Sequence, residues 1–139
     1  MAKTDIKFHV TQDNTALVLA ATHKQVQNGL NAIGLTAATH AKRNCPVDTG
    51  RLRNSITFAS ETKTGGSNSD SGAKASSNDT ARHGIPEGNA VYIGTNVEYA
   101  PAVEYLDRSH KTGGAHFIKN AAANHGDEYK AIMKAALEA

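Results

Sequence analysis

Between residues 15 and 43 the apolar side chains recur at the spacing of one helix face. Leu19, Val26 and Ile33 make a stripe, with Leu30 and Ala37 beside it. Lys24, Gln27, Asn28 and Asn31 fall on the other side as solvent candidates. Asp13 or Asn14 can cap this helix, because their side-chain oxygens accept from the free amides of a first turn. Asn44-Cys45-Pro46 ends it, since the residue before a proline avoids the α region. Gly29 and Gly34 each weaken the helix by about 1 kcal/mol relative to Ala. Their bland reading is tolerance; their sharper reading is close approach of another backbone. Ahead of the helix, IKFHV at 6–10 alternates as a short strand.

Leu52 to Phe58 alternates too. Leu52, Asn54, Ile56 and Phe58 share one face, and Arg53, Ser55 and Thr57 take the other, which predicts a half-buried strand. AVYIGT at 90–95 predicts a second strand, paired with the first as an antiparallel hairpin. The 60–89 segment between them is Ser, Gly, Asn and Asp with almost nothing to bury. It is expected to be a flexible polar loop. NVEYAPAVEYL at 96–106 predicts a short helix with Pro101 in its first turn. Residues 115–138 predict a C-terminal helix with two apolar patches. Phe117, Ile118, Ala121 and Ala122 form the first; Tyr129, Ile132, Met133 and Leu137 form the second. Gly126 is the point of a break or bend between them. The sum is an α+β fold: a long N-terminal helix, an antiparallel β-sheet whose hairpin carries a long loop, a short helix, and a C-terminal helix packed on the sheet.

Composition narrows the function classes. A chain of 139 residues fits a single domain, 1–139, and 39% hydrophobic content supports a core that is rich in Ala and has no Trp. A net charge of +2, from 15 basic and 13 acidic residues, is too balanced for a protein built to neutralise many phosphates. The 60–89 segment is likewise near neutral, so it is no basic arm. No apolar run approaches the ~20 residues of a membrane span. MAKTDIKFHV has no apolar h-region, so no signal peptide is expected. The lone Cys45 rules out an internal disulfide and zinc sites built on cysteine pairs, and suits a reducing cytoplasm.

Candidate chemistry is sparse. Of the seven histidines, His110, His116 and His125 lie in the last third, with no HExxH pair and no carboxylate cluster beside them. They read as scattered surface residues, and no metal site is expected. Cys45 could be a nucleophile with a histidine base, but nothing in the sequence sets one beside it. A small apolar residue closing a helix end accounts for it. Glu98 and Glu104, six apart, fall on different faces of a helix and do not pair for acid–base work. GGSNSDSG lacks the lysine of a phosphate-binding loop. No catalytic or cofactor-binding residues are expected.

CPVDTGRLRNSI, residues 45–56, concentrates the rest. Pro46, Asp48, Thr49 and Gly50 make a helix-to-strand corner. In it Asp48 accepts from nearby amides and Gly50 takes positive φ. The corner explains Arg51 and Arg53 less well. Either can clamp Asp48 or a carboxylate of a neighbouring subunit.

CPVDTGRLRNSI followed by YIGTNVEYAPAVEY resembles the tail-component family of tailed bacteriophages. The family pattern is matched by Pro46 to Ile56, then by Gly94, Thr95, Tyr99, Ala100 and Glu104. The element order also matches, from about Leu17 to about Ala136. The chain departs from the pattern in three places: Glu104-Tyr105-Leu106 stands for Glu-Phe-Gly, His116-Phe117-Ile118 for Pro-Phe-Leu, and the 60–89 insert is long. The resemblance implies a non-enzymatic virion protein, assembled in the host cytoplasm, that forms a ring, commonly of six subunits. The ring completes or caps the tail and joins it to the neck. Its partners would be itself, the major tail or tail-terminator protein and connector proteins, with passive contact to DNA in the channel. Arg51, Arg53, Tyr99 and Glu104 are the candidate subunit or partner interface. The rival from another class is a small nucleic-acid-binding module, which would bind DNA in a salt-dependent way.

Overall fold

The computed structural model describes residues 15–80, 89–106 and 113–139, with backbone alone at 15–17. The expected strand at 6–10, the caps Asp13 and Asn14, and His110 lie outside the described residues. The order is α1 (Thr15–Asn44), α2 (Arg51–Ser55), β1 (Thr57–Ser60), β2 (Thr64–Gly65), β3 (Val91–Gly94), α3 (Ala100–Tyr105), α4 (Phe117–Ala123) and α5 (Gly126–Glu138). The α+β class stands as expected. The three strands are antiparallel in the order β2-β1-β3, and β1 meets β3 with Phe58 opposite Ile93 and Ala59 opposite Tyr92.

α1 runs 30 residues, and its last turn carries Lys42 and Arg43, the charge that suits a helix C-terminus. The carbonyl of Asn44 accepts from the amide of Gly114 at 3.0 Å. Gly113 makes that return possible: at φ 67°, a Cβ there would lie 2.4 Å from the Asn44 carbonyl oxygen. The buried face of α1 is turned from the expected one. Leu30, Ala37, Ala38 and Ala41 are buried, whereas Leu19 is 64% exposed and Val26 and Ile33 are only half-buried. Gln27, expected in solvent, is 3% exposed; its Nε2 donates to Glu61 Oε2 at 3.4 Å. Small residues let α1 approach its neighbours, so the face that packs is the one with least bulk.

One buried cluster joins the elements. α1 gives Ala38 and Ala41, and Cys45 follows its end; Leu52 comes from α2, Phe58 from β1 and Ile56 from the link between them; Val97 and Ala100 precede and open α3; Phe117 and Ala121 come from α4. The C-terminal helices make their main contacts with α1, which in turn lies against β1 and β3. The expected C-terminal helix is divided at Asn124–His125, next to Gly126.

The alternating run 52–58 is not one strand. Residues 51–55 form a helical turn and only β1 is extended. Over five residues a period of 2 and a period of 3.6 are both satisfied, and the local geometry decides. Gly50, at φ 97°, turns the chain into α2, and its carbonyl accepts from Asn54 N at 2.9 Å. Leu52, Ser55 and Ile56 then share the buried side, so Ser55 is buried rather than exposed.

The insert, where described, has more to hold it than its composition suggests. Residues 60–80 contain β2, bury Ala75 and Asp79, and return to β3 through a bridge between Thr80 and Thr95.

Candidate functional site

The residues of the two motif blocks meet around the corner that follows α1. In that corner the side-chain acceptor is Thr49 rather than Asp48: Arg51 N donates to Thr49 Oγ1 at 3.3 Å, and Asp48 stands exposed. The Thr49 carbonyl accepts from Ala73 N at 2.8 Å, tying the insert to the turn.

Arg51 is the hub. Its Nε donates to Asp79 Oδ2 at 3.0 Å and its Nη2 to Asp79 Oδ1 at 2.6 Å, a two-bonded fork. On its other edge Nη1 and Nη2 donate to Glu98 at 3.0 and 3.1 Å. The guanidinium carbon also lies 5.8 Å from the centre of the Tyr99 ring. One side chain from α2 thus joins the insert, through Asp79, to the second motif block, through Glu98 and Tyr99. The Arg51 fork, helped by the amide of Ser76, holds the Asp79 carboxyl well below the usual carboxylate range. Glu98 is shifted down as well, chiefly by Arg51. The two arms are unequal: the Asp79 side chain is 8% exposed and that of Glu98 is 72% exposed, so water screens the second far more.

Asn54, fully buried, pins the insert beside this fork. Its Nδ2 donates to the carbonyls of Ser71 (3.2 Å) and Ala73 (2.9 Å), its Oδ1 accepts from Asp70 N (3.0 Å), and its own carbonyl accepts from Asn68 N (2.8 Å). Arg53 adds a bond from Nη2 to the Ser71 carbonyl at 2.9 Å. Ser55 Oγ and Thr95 Oγ1 are 2.5 Å apart, so the serine of the first block and the threonine of the second touch directly.

Glu104 is buried and caps a different helix. Its carboxylate accepts from the amides of Ile118 and Lys119, both at 3.0 Å, at the start of α4. These are backbone donors that the first turn of a helix leaves unpaired, and negative charge is favoured there. His116, the residue before α4, sits at φ 59° and offers no side-chain cap, so the remote glutamate takes that role.

Of the four interface candidates, Arg51, Arg53 and Glu104 make their bonds within the chain, and Tyr99 is 39% exposed. The sequence shows Asn54 on an otherwise apolar face, which is the signal of its anchoring role. Asp79 gives no such signal, because its partner lies 28 residues away. Cys45 is buried, and burial pushes its thiol up to about 12 against the charge of Arg53, which keeps it from acting as a thiolate.

The fold and this cross-braced cluster define a small α+β protein whose recognisable residues hold its own elements together. The chain belongs to the bacteriophage HK97-gp10-like tail-component family, whose model matches residues 16–105. It is therefore a structural component of a phage tail, found in the virion with other tail proteins. The match ends with α3, so α4 and α5 lie beyond it. No curated protein and no solved structure matches the chain. No helix among the described residues is long and apolar enough to cross a membrane.

Proposed function

We propose that this tail component forms a closed ring at the head–tail junction or the top of the tail, where it completes or caps the tail and joins it to the neck. The observation that carries this reading is a pair of exposed apolar patches at opposite ends of α1. Val18 and Leu19 are 60% and 64% exposed near its start. Tyr99, Tyr105 and Leu106 are exposed on and around α3. α3 packs at the far end of α1, where Ala100 shares a cluster with Ala41 and Cys45. The separation is ~35 Å at 1.5 Å per residue. Two unlike patches suit a head-to-tail contact, the kind that closes into a ring when the rotation allows. Arg51 and Glu104 serve that interface from within, by fixing the placement of α3. Hexameric stoichiometry, assembly in the host cytoplasm and contact with the neck proteins belong to the same proposal.

Leu19→Asp and Tyr105→Asp test it, each placing a charge in one patch. Native mass spectrometry of the purified chain is expected to show a closed oligomer for the parent and monomers for both variants, with circular dichroism unchanged. Oligomers that survive both changes would contradict the proposal.

A further inference from the structure

The fold brings together three side chains that the sequence keeps far apart. α5 runs back along α1, with Met133 and Ala136 opposite Gly29, and this register sets His125 against His40. The two imidazoles lie parallel, with centroids 3.6 Å apart and planes 3° apart. Glu128, in the first turn of α5, reaches both: its Oε2 is 3.1 Å from His40 Nε2 and 3.8 Å from His125 Nδ1. All three ligand atoms lie within 4.8 Å of one another.

We propose that His40, His125 and Glu128 bind one divalent transition-metal ion of the zinc type, which staples α5 to α1. A tetrahedral ion bonded at about 2.0–2.1 Å to nitrogen and oxygen sets its ligands ~3.3 Å apart. The two gaps to Glu128 bracket that figure; the parallel rings hold their lone pairs in separate planes, so binding requires one imidazole to rotate out of the stack until both nitrogens point at the ion. Two imidazoles and one carboxylate suit a borderline ion; calcium and magnesium take oxygen ligands instead. The Tyr129 ring lies 6.4 Å from each imidazole, and its hydroxyl donates to the Ala121 carbonyl, so it packs beside the site rather than completing it. The Glu128 side chain is 46% exposed, which leaves the fourth position to water and gives the ion a path in. The staple also has a mechanical reason. α5 has no fully buried residue, so apolar packing alone grips it weakly.

The test uses the full, untagged chain after dialysis against a chelator. Zn2+ is titrated in competition with a chromophoric indicator, and thermal unfolding is followed with and without the ion. One equivalent per chain and a raised Tm are expected. Glu128→Gln should weaken binding at least about tenfold, as loss of one ligand costs no less than loss of an outer-shell partner. His40→Gln with His125→Gln should abolish binding and the Tm shift, and His116→Gln should change neither. Glu128 is partly exposed, so its variant reads binding even if the double histidine change unfolds the chain. No stoichiometric binding, or unchanged affinity in Glu128→Gln, would overturn the proposal.

Discussion

At the scale of single residues, the polar side chains of the motif region act as fasteners. Asn54 is the clearest. It has no exposed surface and satisfies three backbone groups of the insert. Asn54→Ala removes all three bonds; the Ser71 carbonyl keeps its bond from Arg53 Nη2, but the Ala73 carbonyl and the Asp70 amide lose the Asn54 side chain, a loss of about 2–4 kcal/mol. Urea unfolding should show the lower midpoint with the slope little changed. Asp79 gives a pH signature. Its carboxyl titrates lower in the folded chain than in the unfolded one, because the Arg51 fork favours the charged form. Its contribution is therefore fully present above the ordinary aspartate range, near pH 4, and is lost as the pH falls through the folded value. Asp79→Asn should lower stability at pH 7 and flatten the acid limb between about pH 4 and pH 2. An acid limb identical to the parent's would show that the fork contributes nothing. Glu98, far more exposed, should matter much less.

At the scale of elements, the two glycines of α1 separate two kinds of close packing. A Cβ on Gly34 would come within 2.6 Å of Val91 Cγ2 and 2.8 Å of Phe58 Cδ2, both held in the sheet. On Gly29 it would meet the far end of Met133, at 2.8 Å, and Ala136 Cβ at 3.1 Å. A methionine end can swing aside; a β-branched valine and a buried phenylalanine ring anchored on paired strands cannot. Gly34→Ala should cost about 1–3 kcal/mol through overpacking, only partly offset by better helix propensity. Gly29→Ala should stay within about 0.5 kcal/mol of the parent, as the same propensity gain balances a small shift. Thermal unfolding of the two variants side by side decides this. The sharper reading of the glycines was correct about close approach, though the neighbours are side chains and not backbone.

Most elements were legible in the sequence because their patterns are long or strongly punctuated. α1 spans many helical periods and is stopped by Pro46, and β3 alternates with the exposed Tyr92 between the half-buried Val91 and Ile93. α2 was missed because five residues cannot distinguish two periods. The packed face of α1 differs from the bulky stripe that the sequence shows, because close contact favours Ala, Gly and Gln27 there. The fasteners were only half legible. Asn54, Ser55 and Thr95 stand inside the motifs, but their partners across the insert are defined only by the folded chain. The pairing of His40 with His125 is a matter of helix register, and no local spacing encodes it.

At the scale of the whole molecule, most motif residues face inward and Tyr99 is the one that also reaches the exposed patch on α3. The motifs brace α2, the insert and α3 into one body, whereas the apolar patches around Val18 and Tyr105 are left on its outside. A tail component built this way can vary its surface to suit its neighbours while keeping its braces. The most direct test is electron microscopy of lysates from a phage with a null allele of this gene. The account predicts filled heads beside unjoined or misshapen tails. Intact, infectious particles would contradict it.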